Sequence, residues 1–153
     1  MLTLRDLIKP ERLTAVVDIG ANPVEGQPPY RSMLEMGLCS VVGFEPLVEA
    51  LTALNDKKGP HETYLPYIIG DGGDHTLHLT RRPGMVSLLK PDLAHLQFFD
   101  SMPESGNVEA VMATSTVRLD DLSEVPHCDL LKLDIQGAEL SVRSSSLDEP
   151  LTP

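Results

Sequence analysis

Val16-Val17-Asp18-Ile19-Gly20-Ala21-Asn22 has the composition of a buried strand that runs into a tight turn. A second apolar run, Val41-Val42-Gly43-Phe44-Glu45-Pro46, ends in an acid. Runs without polar alternation are typical of parallel strands that are covered on both faces. Because ligands of open parallel sheets bind at the carboxyl ends of the strands, these two ends predict a site for a nucleoside cofactor.

Amphipathic segments follow both of these strands. Residues 30–36 repeat apolar side chains at helical spacing before Gly37, and residues 47–58 do so before Gly59. Strand and helix therefore alternate at intervals of about 25 residues, which indicates right-handed crossover units on a parallel sheet. The predicted fold class is α/β.

The rest of the chain predicts further strands and one irregular segment. The strand candidates are residues 64–69, 75–80 (as an antiparallel extension), 108–119 and 130–135. The segment 81–107 has no clear period beyond one or two helical turns at 93–99, so it is either a substrate lid or a satellite cluster of core residues. Short helices are expected at residues 2–8 and from Gly137 onward.

Length and charge restrict the class of protein. A chain of 153 residues fits one domain. Its net charge of −11 disfavours a nucleic acid or an anionic membrane surface as partner, because both attract clustered Lys and Arg. Without an apolar signal segment, the chain is predicted to be cytoplasmic. Cys39 and Cys128 are expected to be buried, reduced thiols.

The first two strand ends carry the strongest candidate site residues. Gly20 allows a close approach of backbone to ligand, and Asp18 is placed either to hold the turn or to accept from an ammonium group. Asn22 occupies the position of the second glycine in a dinucleotide fingerprint, which argues against NAD or FAD. Glu45 offers two acceptor oxygens to the two adjacent hydroxyls of a ribose.

Acids also follow the later strands. Asp71 ends the third strand region, where it either accepts from the amine of a base or belongs to an ordinary turn. Asp134 lies at the end of a very apolar run, where the cost of burying an acid suggests a functional role. Glu139 falls in the first helical turn, which favours an anion on electrostatic grounds alone. The five histidines show no metal-binding spacing, and no hydrolase nucleophile elbow occurs.

Four blocks occur in an order that matches a known family: residues 18–22, 43–46, 116–122 (Thr-Val-Arg-Leu-Asp-Asp-Leu) and 132–140 (Lys-Leu-Asp-Ile-Gln-Gly-Ala-Glu-Leu). The chain resembles the FkbM-like methyltransferases, a branch of the class I enzymes that use S-adenosylmethionine. The similarity covers roughly residues 15–140. It implies a Rossmann-like, mainly parallel sheet with flanking helices.

The resemblance also implies roles for individual residues. Asp18, Gly20 and Asn22 would line the methionine portion of S-adenosylmethionine, Glu45 would hold its ribose, and Asp71 would approach its adenine amine. Asp134 would stand beside the transferred methyl group as the catalytic residue. The implied reaction is O-methylation of a hydroxyl on a small-molecule substrate, without a metal.

The chain departs from the family in two places. Pro23-Val24-Glu25-Gly26 intervenes where the family carries another glycine, and residues 141–153 form a short polar tail where the family continues with a helix and further strands. We therefore expect a lead-in at 1–14, a methyltransferase-like domain at 15–140 that lacks the last strands, and an atypical tail. A truncated, non-catalytic fragment that self-associates through an open strand edge is the alternative.

Overall fold

The computed structural model describes residues 11–22, 26–98, 104 and 106–146. The chain divides into two compact units. Unit 1 comprises residues 1–66 and 123–133, and unit 2 comprises residues 67–122 and 134–153. The predicted helix at 2–8 lies outside the described residues, and the domain limits at 14/15 and 140/141 stay predictions.

The described regular elements follow one another in the order strand, helix, strand, helix, strand and then a more irregular part. The strands are β1 (Thr14–Ile19), β2 (Cys39–Phe44), β3 (Glu62–Leu65), β4 (Asp74–Thr80), β5 (Val108–Ser115) and β6 (Leu130–Leu133). The α-helices are α1 (Arg31–Glu35), α2 (Val48–Lys57), α3 (Leu93–Leu96) and α4 (Glu139–Ser146). Two 3-10 helices cover Pro83–Met85 and Leu119–Asp121.

Unit 1 contains a four-stranded sheet in the order β3-β2-β1-β6, in which every neighbouring pair is parallel. Val16 of the central strand β1 lies opposite Val41 of β2 and Leu130 of β6. The parallel α/β prediction is thereby confirmed. Among the described strands β6 has β1 as its one neighbour, and Leu130 is 40% exposed; self-association through this edge stays a prediction.

The limits of two predicted strands of unit 1 were wrong. β3 covers Glu62–Leu65 and not 64–69, because Pro66 follows and has no N–H for the ladder. β6 stops at Leu133, two residues before the predicted end at Ile135.

The core of unit 1 is built on the two central strands. The buried set contains Val16, Val17, Val41 and Phe44, each about 1% exposed. Cys39 is buried as predicted, and both cysteines are free thiols. Cys128 is exposed, which corrects the expectation of a buried thiol. It lies two residues before β6, in a stretch (126–130) whose residues are all exposed.

Helices α1 and α2 confirm the two amphipathic segments. Helix α1 ends before Gly37, which has a φ of +65° and closes the segment as expected. Helix α2 begins after Leu47 and ends at Lys57. The crossover helices therefore stand where the apolar spacing predicts them.

Unit 2 holds a separate ribbon of β4 and β5, which pair antiparallel with an irregularity between Leu79 and Thr80. The antiparallel geometry of segment 75–80 is confirmed. The predicted strand 108–119 ends earlier, at Ser115, and is followed by the 3-10 helix Leu119–Asp121. Helix α3 lies within the predicted segment 93–99; residues 99–103 and 105 are not among the described ones.

Helix α4 follows Gly137 as expected, continues past residue 140 into the segment expected to be an atypical polar tail, and ends at Ser146. Its Val142 is 1% exposed, and the helix contacts the 3-10 helix Leu119–Asp121. The first turn of the predicted tail is thus packed in unit 2. In the part of the chain that the structure describes, no helix has both the length and the apolar character that a bilayer crossing requires.

Candidate functional site at the strand ends of unit 1

The turn after β1 is docked on the end of β2. Gly20 has a φ of +80°, a conformation that suits glycine, and its amide and that of Ala21 each donate to the Phe44 carbonyl at 3.1 Å. These two N–H groups are therefore occupied within the protein. A pyrophosphate cradle needs such groups turned toward the ligand, so the geometry agrees with the argument against NAD or FAD.

Asp18 is buried and hydrogen-bonded within the protein, and it is not an open acceptor. It is 1% exposed, its Oδ1 accepts from Lys132 Nζ at 2.8 Å, and its Oδ2 accepts from the Tyr30 hydroxyl at 2.5 Å. Lys132 Nζ also donates to the Gly20 carbonyl at 3.0 Å. Because a buried carboxylate is tolerated only when it is paired and hydrogen-bonded, these contacts explain why the acid can lie in this apolar strand. Of the two roles considered for Asp18, this geometry supports holding the turn.

The hydroxyl of Tyr30 is a permanent donor at neutral pH. Burial, and then the neighbouring Asp18 carboxylate, raise the pKa of Tyr30 far above its ordinary value. Tyr30 is 2% exposed and directly precedes α1. Its hydrogen bond therefore ties the start of that helix to the end of β1.

Glu45 is buried at the end of β2, beside the turn. It is 4% exposed, and its Oε1 accepts from the Leu47 amide at 2.8 Å. The Asn22 amide is close enough to this carboxylate to favour its charged form. Burial raises the pKa of Glu45, and the two backbone donors oppose that change. The structure thus brings together four predicted residues: Asp18, Gly20, Asn22 and Glu45.

A cleft of about 350 Å³ opens next to this turn. Its wall includes Ala21, Asn22, Tyr30, Arg31, Leu54 and Tyr64. This volume lies within the range of small-molecule sites, and the mixture of apolar and polar side chains is typical of them.

Gly43 permits a close contact beneath the turn. A Cβ atom at this position would lie 2.6 Å from Cδ1 of the Tyr64 ring and 3.0 Å from Cβ of Ala21. Only the absence of a side chain lets the ring, the turn and β2 meet this closely. Tyr64 is 9% exposed, and its hydroxyl donates to Glu62 Oε1 at 2.7 Å.

Asp71, in unit 2, does not end the third strand, because β3 stops at Leu65. Its Oδ1 contacts His75 Nε2 at 2.7 Å and accepts from the Gly73 amide at 2.9 Å and from the Thr116 hydroxyl at 3.3 Å. The His75 contact, and then the Gly73 amide, lower the pKa of Asp71 to about 2. The carboxylate closes a local turn, and its role toward an adenine amine stays a prediction.

This network makes a prediction for acid stability. Since the pKa of Asp71 is lower in the folded protein than its ordinary value of 3.8, the ionised group stabilises above that value, and the effect is lost as the pH falls toward about 2. We expect Asp71→Asn to lower the melting temperature at pH 6 and to differ little from the wild type near pH 2. Thermal unfolding followed by circular dichroism checks this, with exposed Asp56→Asn as control. An equal difference at both pH values would contradict it.

The segment after β6 is a tightly held loop in unit 2. Gln136 has a φ of +57°, and the neighbouring Gly137 has a φ of +106°. Ser87 Oγ donates to the Gln136 carbonyl at 2.8 Å, while Glu139 accepts from the Gly137 amide at 2.9 Å. The predicted catalytic residue Asp134 accepts from Gln136 Nε2 at 3.1 Å.

Glu139 has the structural role that its place in the first turn of α4 suggests. Burial acts against its charge, but the amides of Gly137, Ile135 and their neighbours outweigh that effect and lower the pKa of Glu139. The positive φ of Gln136 lies two residues from Asp134. Backbone strain of this kind is common at functional sites.

Two residues of this site, Tyr30 and Lys132, were missed in the sequence. Tyr30 was assigned only to an apolar helix face, and Lys132 only to a family block. A signal existed: in parallel register Lys132 lies opposite Asp18, and a cation and an acid inside two apolar runs indicate a buried pair. Within the described residues, no group of three or more His, Cys, Asp or Glu is arranged to hold a metal ion.

Comparison with known proteins gives one match. The family model described as the methyltransferase FkbM domain matches residues 18–144 of the chain. This range begins at Asp18 and includes Gly20, Glu45, Lys132 and Asp134. No curated protein and no solved structure matches significantly.

Proposed function

Because the chain belongs to the FkbM methyltransferase family, we propose that it uses S-adenosylmethionine to methylate a hydroxyl oxygen of a small molecule. One observation carries the choice of donor: a buried acid, Glu45, stands at the end of β2 beside the glycine turn of β1. In nucleoside-binding α/β folds this is the position at which a carboxylate meets ribose hydroxyls. Bound there, the donor supplies an electrophilic methyl group on a sulfonium.

The fit of Glu45 to a ribose follows from its acceptor capacity. A carboxylate has two oxygens and about four lone-pair positions, and the Leu47 amide uses only one of them. The same amide helps to fix the orientation of the carboxylate before any ligand arrives. A diol that donates two hydrogen bonds would occupy remaining acceptor positions of the carboxylate. These bonds would replace the hydrogen bonds to water that burial removes.

Asp134 is the residue that we assign to the hydroxyl of the methyl acceptor. Its carboxylate stands directly after β6, and Gln136 Nε2 holds one of its oxygens. A carboxylate in such a loop can orient a hydroxyl and accept its proton as the oxygen attacks. Most of the rate of such a transfer comes from holding the two reacting atoms in line, so the fixed loop matters as much as the base.

The donor assignment predicts binding of S-adenosylhomocysteine, the demethylated product. We expect calorimetric titration at neutral pH to give saturable binding, and Glu45→Gln to weaken it about tenfold, because one charge-assisted pair of hydrogen bonds is reduced to neutral ones. The matched control is Glu49→Gln, which removes an exposed acid in the first turn of α2. Absence of heat and of thermal stabilisation at millimolar ligand would reject the proposal, and equal affinities would reject the role of Glu45.

A further inference from the structure

We propose that Lys132 and Tyr30 are positioning residues of the donor-binding turn and that both act through Asp18. The inference rests on the proposed function, since it concerns the turn that would receive the donor. The resemblance to the family assigns no role to Lys132 or to Tyr30. The two residues come from different elements: Lys132 is on the neighbouring strand β6, and Tyr30 directly precedes α1.

Lys132 contacts both the Asp18 side chain in β1 and the backbone of the turn that follows β1. Its Nζ donates to Asp18 Oδ1 at 2.8 Å and to the Gly20 carbonyl at 3.0 Å. One ammonium thus joins a side chain on the strand to the backbone two residues later, where φ is +80°. The Gly20 carbonyl belongs to the same planar peptide group as the Ala21 amide, which donates to the Phe44 carbonyl. Lys132 therefore holds this peptide group from its oxygen side, while Phe44 holds it from its N–H side.

Tyr30 holds the other oxygen of the same carboxylate. Its hydroxyl donates to Asp18 Oδ2 at 2.5 Å, and both residues are at most 2% exposed. With Lys132 on Oδ1 and Tyr30 on Oδ2, rotation of the Asp18 carboxylate is opposed from both sides. The network therefore connects β6, the turn and the start of α1 through one buried acid.

The charges decide between positioning and direct contact with a ligand. Asp18 is 1% exposed, and the Lys132 ammonium lies against it, so its negative charge is already compensated. An acid in that state has little attraction left for a ligand ammonium, but it can keep the turn in the one conformation that the donor fits. If the turn held the binding conformation for only a fraction of the time, the apparent affinity would fall to that fraction of its intrinsic value.

The test uses Lys132→Met, Lys132→Arg and Tyr30→Phe, each titrated with S-adenosylhomocysteine at a temperature well below its own melting point. We expect Lys132→Met and Tyr30→Phe to weaken binding about tenfold. Lys132→Arg keeps the cation and should bind within about threefold of the wild type. The control is Lys90→Met, which removes an exposed ammonium in unit 2 and should bind as the wild type does.

Hydrogen exchange of the Gly20 and Ala21 amides gives a readout that needs no ligand. We expect exchange of these two amides to accelerate in Tyr30→Phe, while amides of β3 stay as protected as in the wild type. Uniform acceleration would indicate only a loss of global stability and would overturn the proposal, as would unchanged affinity in folded Tyr30→Phe. If Lys132→Met does not fold, the affinities of Tyr30→Phe and Lys132→Arg test the proposal. A wild type that binds no S-adenosylhomocysteine refutes the proposed function, whereas normal binding by folded variants refutes only this inference.

Discussion

Val142→Asp is expected to lower the free energy of unfolding by about 3–5 kcal/mol, because it would place an uncompensated charge in a closed environment. Val142 is 1% exposed on α4, and this helix contacts the 3-10 helix that contains buried Leu119. An aspartate at this position would have to ionise without a partner, take up a proton or expel the helix. Chemical denaturation followed by circular dichroism measures the loss.

The matched control for this variant stands two residues earlier on the same helix. Leu140 is 73% exposed, so Leu140→Asp should change the free energy of unfolding by less than about 0.5 kcal/mol. An added acid close to the start of the helix is also favoured by the helix dipole. Similar stabilities for Val142→Asp and Leu140→Asp would show that α4 does not pack in unit 2 as described.

Gly43→Ala is expected to destabilise unit 1 by about 1–3 kcal/mol, the usual cost of forcing extra atoms into a packed site. The new methyl group would lie 2.6 Å from the Tyr64 ring and 3.0 Å from Cβ of Ala21, so one of them must move. Ala21 belongs to the turn that is docked on Phe44. We therefore expect weaker binding of S-adenosylhomocysteine in the same variant.

A double-mutant cycle with Tyr64→Ala isolates the steric origin of this effect. Removal of the ring creates space, so Gly43→Ala should cost less in the Tyr64→Ala background than in the wild type. The measured quantity is the free energy of unfolding of the four proteins. Additive losses would mean that the Tyr64 ring is not what excludes a side chain at position 43.

The parallel core of the fold could be predicted from the sequence because its signals are local. The apolar runs around Val16 and Val41 specify strands that are covered on both faces, and the amphipathic segments between them specify crossover helices. The pairing of β4 with β5 is different. It joins segments about thirty residues apart through an irregular stretch, and an alternating strand does not by itself say which partner it will have.

The residues of the candidate site also divide into those that local signals predict and those whose contacts depend on distant pairing. Gly20, Asn22 and Glu45 are adjacent to the strand ends that reveal them, and their meeting follows from the parallel order of β1 and β2. The partners of Asp18 could not be found in this way, since Lys132 stands 114 residues away and its position depends on the register of β6 against β1. Asp71 shows the opposite error: the strand before it was expected to reach residue 69 but ends at Leu65, and Asp71 closes a turn, which its composition also allowed.

The pairing of β1 with β6 also bears on how the polypeptide acquires its structure. Residues 67–122 are synthesised between the two segments of unit 1, so all of them must leave the ribosome before Lys132 can reach Asp18. Contacts of such long sequence separation are slow to form, because a large loop must close first. The nascent chain is therefore expected to expose the unpaired edge of β1 during translation and to need protection by a chaperone until β6 emerges.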